Sequence, residues 1–259
     1  MSMSSRQSYI ICATPRSGST LLCDLLAGTG VAGVPDSFFR RESFVEWAEH
    51  FGVSTANWTD DLAFDLAYLR AVKDYGIGGT GMFGMRLMWE SVGDLCARLG
   101  AIYPTAQVPV DCLRQGFDDP LFVHLSRGDK IAQAISLYRA QQSGLWHIHA
   151  DGSERERLAP AQAPVYDDES LSLLVRKLQE QDASWSRWFV EQQIDPWIVS
   201  YEALADDPRG ILAGLLSALG RDPAHAKGAQ AATALLADSE SRQWSARFRA
   251  RPRAEVSRP

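Results

Sequence analysis

The segment SYIICATPRSGSTLL, residues 8–22, constrains the chain more than any other stretch. Its first six residues are a short apolar run, and the residues after Thr20 are leucine-rich at helical spacing. That order predicts a strand, a tight loop and the start of a helix. A loop in this position directs backbone N–H groups and the positive end of a helix dipole at an anion. In the nucleotide triphosphatase version, G-x-x-x-x-G-K-[ST], a lysine follows the last glycine, whereas here Gly18 is followed by Ser19 and Thr20. An anion held here needs its positive charge from another residue.

The rest of the chain alternates in the same way. Glycines and Pro35 mark a turn with a short strand at 31–34, and residues 42–75 read as mostly helical, with Leu62, Leu66 and Leu69 on one face. A strand is expected near 82–87 and a helix from about 91 to 99. PLFVHLSRGD is the clearest buried strand; it stops at Ser126 and Arg127, and a helix follows. Residues 143–168 mix glycine, proline and charge without periodicity and read as a long loop. Leu171, Leu174, Val175, Leu178, Trp185, Trp188 and Phe189 then fall on one face of a long helix. PWIVSYE is the last strand, and Asp207, Pro208 and Gly220 frame a helix as N-cap, first position and terminator. Such alternation implies an α/β fold, a parallel sheet flanked by helices on both faces with ligands at the C-terminal strand edge. One domain over residues 1–250 is expected, followed by a flexible basic tail at 251–259.

Composition narrows the function classes. A net charge of −6 and a pI near 5.4 argue against general binding to nucleic-acid backbones. The four cysteines show no C-x-x-C pair and read as reduced, buried thiols. The N-terminus lacks the three-part layout of a signal peptide, and no segment approaches the roughly 20 apolar residues of a membrane span, so a cytoplasmic protein is expected. His124 lies within an apolar strand and reads as a core residue. His147 and His149 alternate in the long loop, where they could touch an acceptor or act as a base. An H-x-H pair alone is weak grounds for a metal site, and none is expected.

TPRSGSTLL resembles the 5′-phosphosulfate loop of sulfotransferases that use 3′-phosphoadenosine 5′-phosphosulfate (PAPS), in which a lysine or arginine precedes Ser-Gly-[ST]-[ST]. FVHLSRGDKIAQAISLYRA resembles their second element, an arginine at a strand end with a serine in the following helix. The resemblance implies that Arg16, Ser17, Gly18, Ser19 and Thr20 hold the phosphosulfate and that Arg127 and Ser136 hold the 3′-phosphate. It implies in-line sulfuryl transfer without a metal, a P-loop-like sulfotransferase fold and a homodimer. Arg16 would then take the place of the missing lysine, from inside the loop.

Further patches, the VPDSFF segment, LMW at 87–89, RAQQ from Arg139 with Trp146 beyond, and Trp244 followed by Arg247, are similar to the bacterial trehalose 2-sulfotransferase group and its relatives acting on surface carbohydrates. That similarity implies a carbohydrate or glycolipid hydroxyl as acceptor, with Phe38, Phe39, Arg86, Trp89, Trp146 and His147 on the acceptor side. One departure matters. The group's general base is a glutamate immediately before the Phe-Phe pair, and here that position is Ser37. A serine does not take a sugar hydroxyl's proton at neutral pH unaided. Asp36 is the candidate base, and Glu42 is a second carboxylate close by. A non-catalytic PAPS-binding relative and a P-loop nucleotide kinase are the competing readings.

Overall fold

The computed structural model describes residues 7–56, 62–149, 151–229 and 239–251. The chain divides into two compact units, Met1–Gly128 with Glu180–Ala232 as unit 1 and Asp129–Gln179 with Thr233–Pro259 as unit 2.

Unit 1 opens with strand β1 (Ser8–Ala13), helix α1 (Ser19–Gly28), helix α2 (Phe44–His50) and helix α3 (Leu62–Ile77). Strand β2 (Phe83–Met88), helices α4 (Val92–Ile102) and α5 (Pro109–Gly116) and strand β3 (Leu121–Ser126) follow. Unit 2 contains helix α6 (Lys130–Ser143), strands β4 (Leu145–Ile148) and β5 (Glu154–Arg157), and the first half of helix α7 (Asp168–Glu191). The chain continues in unit 1 through the rest of α7, strand β6 (Trp197–Ser200), helix α8 (Tyr201–Asp206) and helix α9 (Pro208–Ala218). Helix α10 (Ser239–Arg249) belongs to unit 2.

The unit 1 sheet is parallel throughout, in the order β2-β1-β3-β6. Both faces of its central strand are buried, as helical crossovers require. Ile10 and Cys12 pack on one side with Met85, Leu87, Phe122 and the Trp185–Phe189 turn of α7. Tyr9, Ile11 and Ala13 pack on the other with α1 and α9. The period of 2 in β1 thus supplies two hydrophobic cores from six residues. Asp207 caps α9, its Oδ1 accepting from Gly210 N at 2.8 Å, with Pro208 at the first helical position, as the sequence indicates.

Several expectations need correction. Residues 31–34 form no strand: Gly33 has φ +74°, which L residues rarely adopt, and Val34 N donates to Gly76 O at 2.8 Å. In α3, Leu69 is buried as expected, but Leu62 and Leu66 are each 48 % exposed, and Leu69 shares the buried face with Phe64, Tyr68 and Val72. Aromatic side chains on the opposite stripe win the interior because each buries more apolar surface than a leucine. The supposed loop at 143–168 contains the antiparallel hairpin β4–β5, turned at Gly152 with φ +85°. Of the cysteines, Cys96 is half-buried rather than buried; none of the four forms a disulfide.

Unit 2 has its own interior. Ile135, Leu171, Trp244 and Phe248 form one cluster, and Ala134, Leu137 and Leu178 another. Arg251, expected to begin a flexible tail, donates to Ser172 Oγ at 2.8 Å and lies over the Phe248 ring. Residues 252–259 of that tail lie outside the described residues. No helix among the described residues is long and apolar enough to cross a membrane.

Candidate active site at the end of the first strand

β1 ends at Ala13, and the chain turns through Thr14–Gly18 before α1 begins. Two residues of this turn are left-handed, Arg16 at φ +61° and Gly18 at φ +88°. Alternating left- and right-handed residues aim successive N–H groups into one concavity, which favours an anion. Gly18 is required on a second count: a Cβ there would stand 2.5 Å from Tyr201 Cδ2. Ser17 is fully buried, and its Oγ has no hydrogen-bond partner among the described residues. A buried hydroxyl in that condition costs free energy unless a further group satisfies it.

Arg86 organises the α1 side of the loop. It lies on β2 directly across from Ile11, so it shares the face on which α1 packs. Its Nη1 donates to Thr20 Oγ1 at 2.7 Å, its Nε to Ser37 Oγ at 2.7 Å and its Nη2 to Asp36 Oδ1 at 3.3 Å. Asp36 Oδ1 also accepts from Ser37 N at 2.6 Å, and the Arg86 amide donates to Asp36 O at 2.9 Å. A guanidinium has five N–H donors, so two remain that make no bond to the described residues. Asp36 and Ser37 are therefore fixed to the same arginine that fixes Thr20.

Arg127 follows β3, the strand on the other side of β1. Its Nη1 donates to Arg16 O at 3.2 Å, and its guanidinium lies 4.3 Å from the Tyr201 ring centre. Beside it Gly128 N donates to both carboxylate oxygens of Glu202, at 3.0 and 3.3 Å. Tyr201 and Glu202 were not foreseen as site residues. Their position just after the last strand, at the same sheet edge as the loop, was the signal that could have found them.

Trp89 follows β2 and meets Trp185 edge-on at 5.1 Å between ring centres; Trp185 Nε1 donates to Ala13 O at 2.9 Å. Phe38 and Phe39, expected on the acceptor side, are interior: Phe38 is fully buried and packs against Trp47, Phe51 and Tyr75, and Phe39 packs against Phe44, Tyr68 and Phe117. Their rings support the loop carrying Asp36 and Ser37. His124 is buried as expected, with its Nε2 3.8 Å from Asp182 Oδ1.

Unit 1 thus gathers Arg16, Ser17, Gly18, Ser19, Thr20, Asp36, Ser37, Arg86 and Arg127 around adjoining strand ends. Phe38, Phe39, Trp89 and His124 also belong to unit 1, as does Glu42, whose Oε2 accepts from Arg40 Nε at 3.2 Å; the other sequence-predicted residues belong to unit 2. Ser136 is half-buried on α6, Trp146 packs against the cluster of Ala134, Leu137 and Leu178, and His147 Nε2 lies 3.5 Å from Glu156 Oε2. Of the C-terminal pair, Trp244 is buried and Arg247 lies 3.8 Å over the Tyr166 ring. Among the described residues no group of three His, Cys, Asp or Glu side chains is placed to hold a metal ion.

Comparison with known proteins gives this arrangement a lineage. A trehalose 2-sulfotransferase of Mycobacterium tuberculosis is 32 % identical over 93 % of this chain and 94 % of its own. One of Mycolicibacterium smegmatis is 29 % identical over the same shares. A solved sulfotransferase domain from the Synechococcus PCC 7002 olefin synthase covers 96 % of the chain, at 15 % identity and a TM-score of 0.42. The Stf0 sulphotransferase profile matches residues 8–251, nearly everything described above, and the chain belongs to that family, with its P-loop-like sulfotransferase fold.

Proposed function

We propose that this protein transfers a sulfuryl group from PAPS to a hydroxyl of a carbohydrate or glycolipid, of which trehalose is the first candidate. The observation that carries the reading is the Arg127 hydrogen bond to the Arg16 carbonyl. It ties the cation following β3 to the anion-binding turn after β1, a spacing suited to a donor with phosphate groups at both ends of a ribose. The names of the two trehalose 2-sulfotransferase relatives support the acceptor class.

In this reading Arg16, the N–H groups of Ser17 to Thr20 and the hydroxyls of Ser17, Ser19 and Thr20 hold the phosphosulfate, and Arg127 with Ser136 holds the 3′-phosphate. The acceptor oxygen forms a bond to sulfur as the bond from sulfur to the 5′-phosphate oxygen breaks. Negative charge grows on the leaving oxygen and stays on the sulfuryl oxygens, so fixed cations and N–H donors lower the barrier, as in phosphoryl transfer. The two remaining Arg86 N–H groups suit the sulfuryl oxygens. Asp36 takes the acceptor's proton at Oδ2, the carboxylate oxygen that receives no hydrogen bond from the described residues. Trp89 belongs to the acceptor side, to which the family resemblance adds Trp146 and His147, while Phe38 and Phe39 support the loop that carries Asp36 and Ser37. No metal takes part. A homodimer in the cytoplasm completes the reading.

The test is calorimetric titration with the expected product, adenosine 3′,5′-bisphosphate (PAP), beside ATP with magnesium. PAP binds and ATP with magnesium does not, and Arg127→Ala weakens PAP by about ten- to a hundredfold, the loss of charge-assisted hydrogen bonds. Binding of ATP with magnesium in preference to PAP would overturn the assignment of both phosphate elements. PAP binding without transfer to any carbohydrate would favour a non-catalytic relative, as Ser37 in the glutamate's place allows.

A further inference from the structure

Glu90 is the second residue past β2, whose C-terminal end lies at the same sheet edge as the loop after β1. Its side chain is exposed, and its Oε2 accepts from Gln181 Nε2 at 3.4 Å. Gln181 comes from α7, one turn before Trp185, and is only 7 % exposed. Its Oε1 is buried and has no hydrogen-bond donor among the described residues. An amide with one end committed to a carboxylate and the other unsatisfied calls for an O–H or N–H donor to complete it.

The neighbours of this pair identify the ligand's chemistry. Trp89, adjacent to Glu90, is half-buried against Trp185, and Trp185 in turn holds Ala13 O, the last carbonyl before the anion-binding turn. A carboxylate, an amide carbonyl and an aromatic ring side by side suit a polyol. The carboxylate takes a hydroxyl hydrogen, the amide holds the carboxylate, and the ring covers the apolar C–H face of a sugar. Neither Glu90 nor Gln181 would attract an anionic donor, so the subsite fits a neutral saccharide.

We propose that Glu90, positioned by Gln181, binds a non-reacting hydroxyl of the acceptor sugar and helps decide which sugar is accepted. The inference rests on the carbohydrate reading above and adds residues to its acceptor side. Glu90 contacts substrate in this scheme, whereas Gln181 acts through Glu90 as a positioning residue. Sites built to bond a substrate hydroxyl reject analogues that lack it, because the protein's polar groups are then left unpaired.

The experiment titrates trehalose into the PAP-saturated protein and measures transfer from labelled PAPS to trehalose and to its monodeoxy analogues. Glu90→Gln raises the KM and Kd for trehalose about tenfold while leaving PAP affinity and kcat within about threefold. The deoxy analogue lacking the bonded hydroxyl, discriminated against by the wild type, is treated like trehalose by Glu90→Gln. Gln181→Glu, which places a second carboxylate beside Glu90, weakens trehalose but not PAP. Unchanged PAP affinity shows that each variant is folded. An unchanged trehalose KM in Glu90→Gln, or equal loss of PAP and trehalose, overturns the subsite and leaves the transferase reading intact. A wild-type protein that binds no PAP overturns the transferase reading itself. A PAP complex that takes up no trehalose overturns the subsite as a trehalose site.

Discussion

The Arg127 guanidinium stands 4.3 Å from the centre of the Tyr201 ring, and the same ring occupies the space where a side chain at residue 18 would begin. One aromatic side chain therefore braces both the cation following β3 and the last residue of the anion-binding turn. A cation–π contact of this kind is worth about 0.5–2 kcal/mol depending on desolvation. Tyr201→Leu is expected to weaken PAP binding by about three- to thirtyfold, and Tyr201→Phe, which keeps the ring, by much less. Calorimetry on the two variants checks this; equal losses would place the effect in the phenol hydroxyl.

Gly18→Ala follows from the same contact. The added methyl meets Tyr201 at 2.5 Å in a backbone conformation of φ +88° that alanine rarely adopts. Strain of this kind costs about 1–3 kcal/mol. PAP binding is expected to fall by more than tenfold, and adding Tyr201→Ala removes the clash without removing the φ penalty. The double variant therefore stays weaker than Tyr201→Ala alone, which titration of the three variants would show.

Arg86 reaches Thr20, Ser37 and Asp36 through three separate nitrogens. A lysine keeps the charge but not the planar fork. Arg86→Lys is expected to lower kcat about a hundredfold, comparable to the loss of one transition-state donor, while PAP affinity changes little. Transfer kinetics beside PAP titration separates this from general damage, which would weaken both.

The parts of the site legible in the sequence are those whose chemistry is local. Arg16 to Thr20 were readable because a strand, a glycine turn and a helix start sit in one short segment, and Arg127 because it ends an unmistakable strand. Tyr201 was hidden because its role depends on β6 lying beside β3, with Ser200 level with Ser126, and neighbours in a parallel sheet are not neighbours in sequence. The Arg86 hydrogen bonds depend likewise on β2 lying next to β1. Val31–Val34 was read as a strand from its valines, but the left-handed Gly33 between them decides the backbone. The hairpin β4–β5 carries Asp151-Gly152 at its turn, a hairpin signal masked by the charged residues around it. Phe38 and Phe39 came from resemblance to a motif, which fixes position along the chain but not which way a ring faces.

Asp36 presents a test of how this chain moves a proton without the glutamate that the family resemblance places at residue 37. Asp36→Asn keeps the shape and removes the base, so kcat is expected to fall about a hundred- to ten-thousandfold. Ser37 is buried beside Arg86, which donates to its hydroxyl at 2.7 Å. A carboxylate introduced there meets the same guanidinium. Ser37→Glu is expected to restore part of the activity of Asp36→Asn, measured as transfer from labelled PAPS. If Asp36→Asn retains full activity, Asp36 is not the base.

Stability at alkaline pH depends on the buried thiols. Cys12 is fully buried, and burial pushes its pKa well above the ordinary 9.0. Below the ordinary value the thiol is neutral in both the folded and unfolded chain, so the full stability is present. Above it the unfolded chain releases a proton that the folded chain retains, and stability falls as pH rises. The slope for one such thiol is about 1.4 kcal/mol per pH unit until the folded pKa is reached. Burial pushes Cys96 up to about 12 and raises Cys112, contributions of the same sign, the first reduced by the partial exposure of Cys96. Denaturant midpoints are expected to drop between about pH 8 and about pH 10.5, and to drop less in Cys12→Ala. Parallel losses in the two proteins would show that Cys12 ionises as readily folded as unfolded.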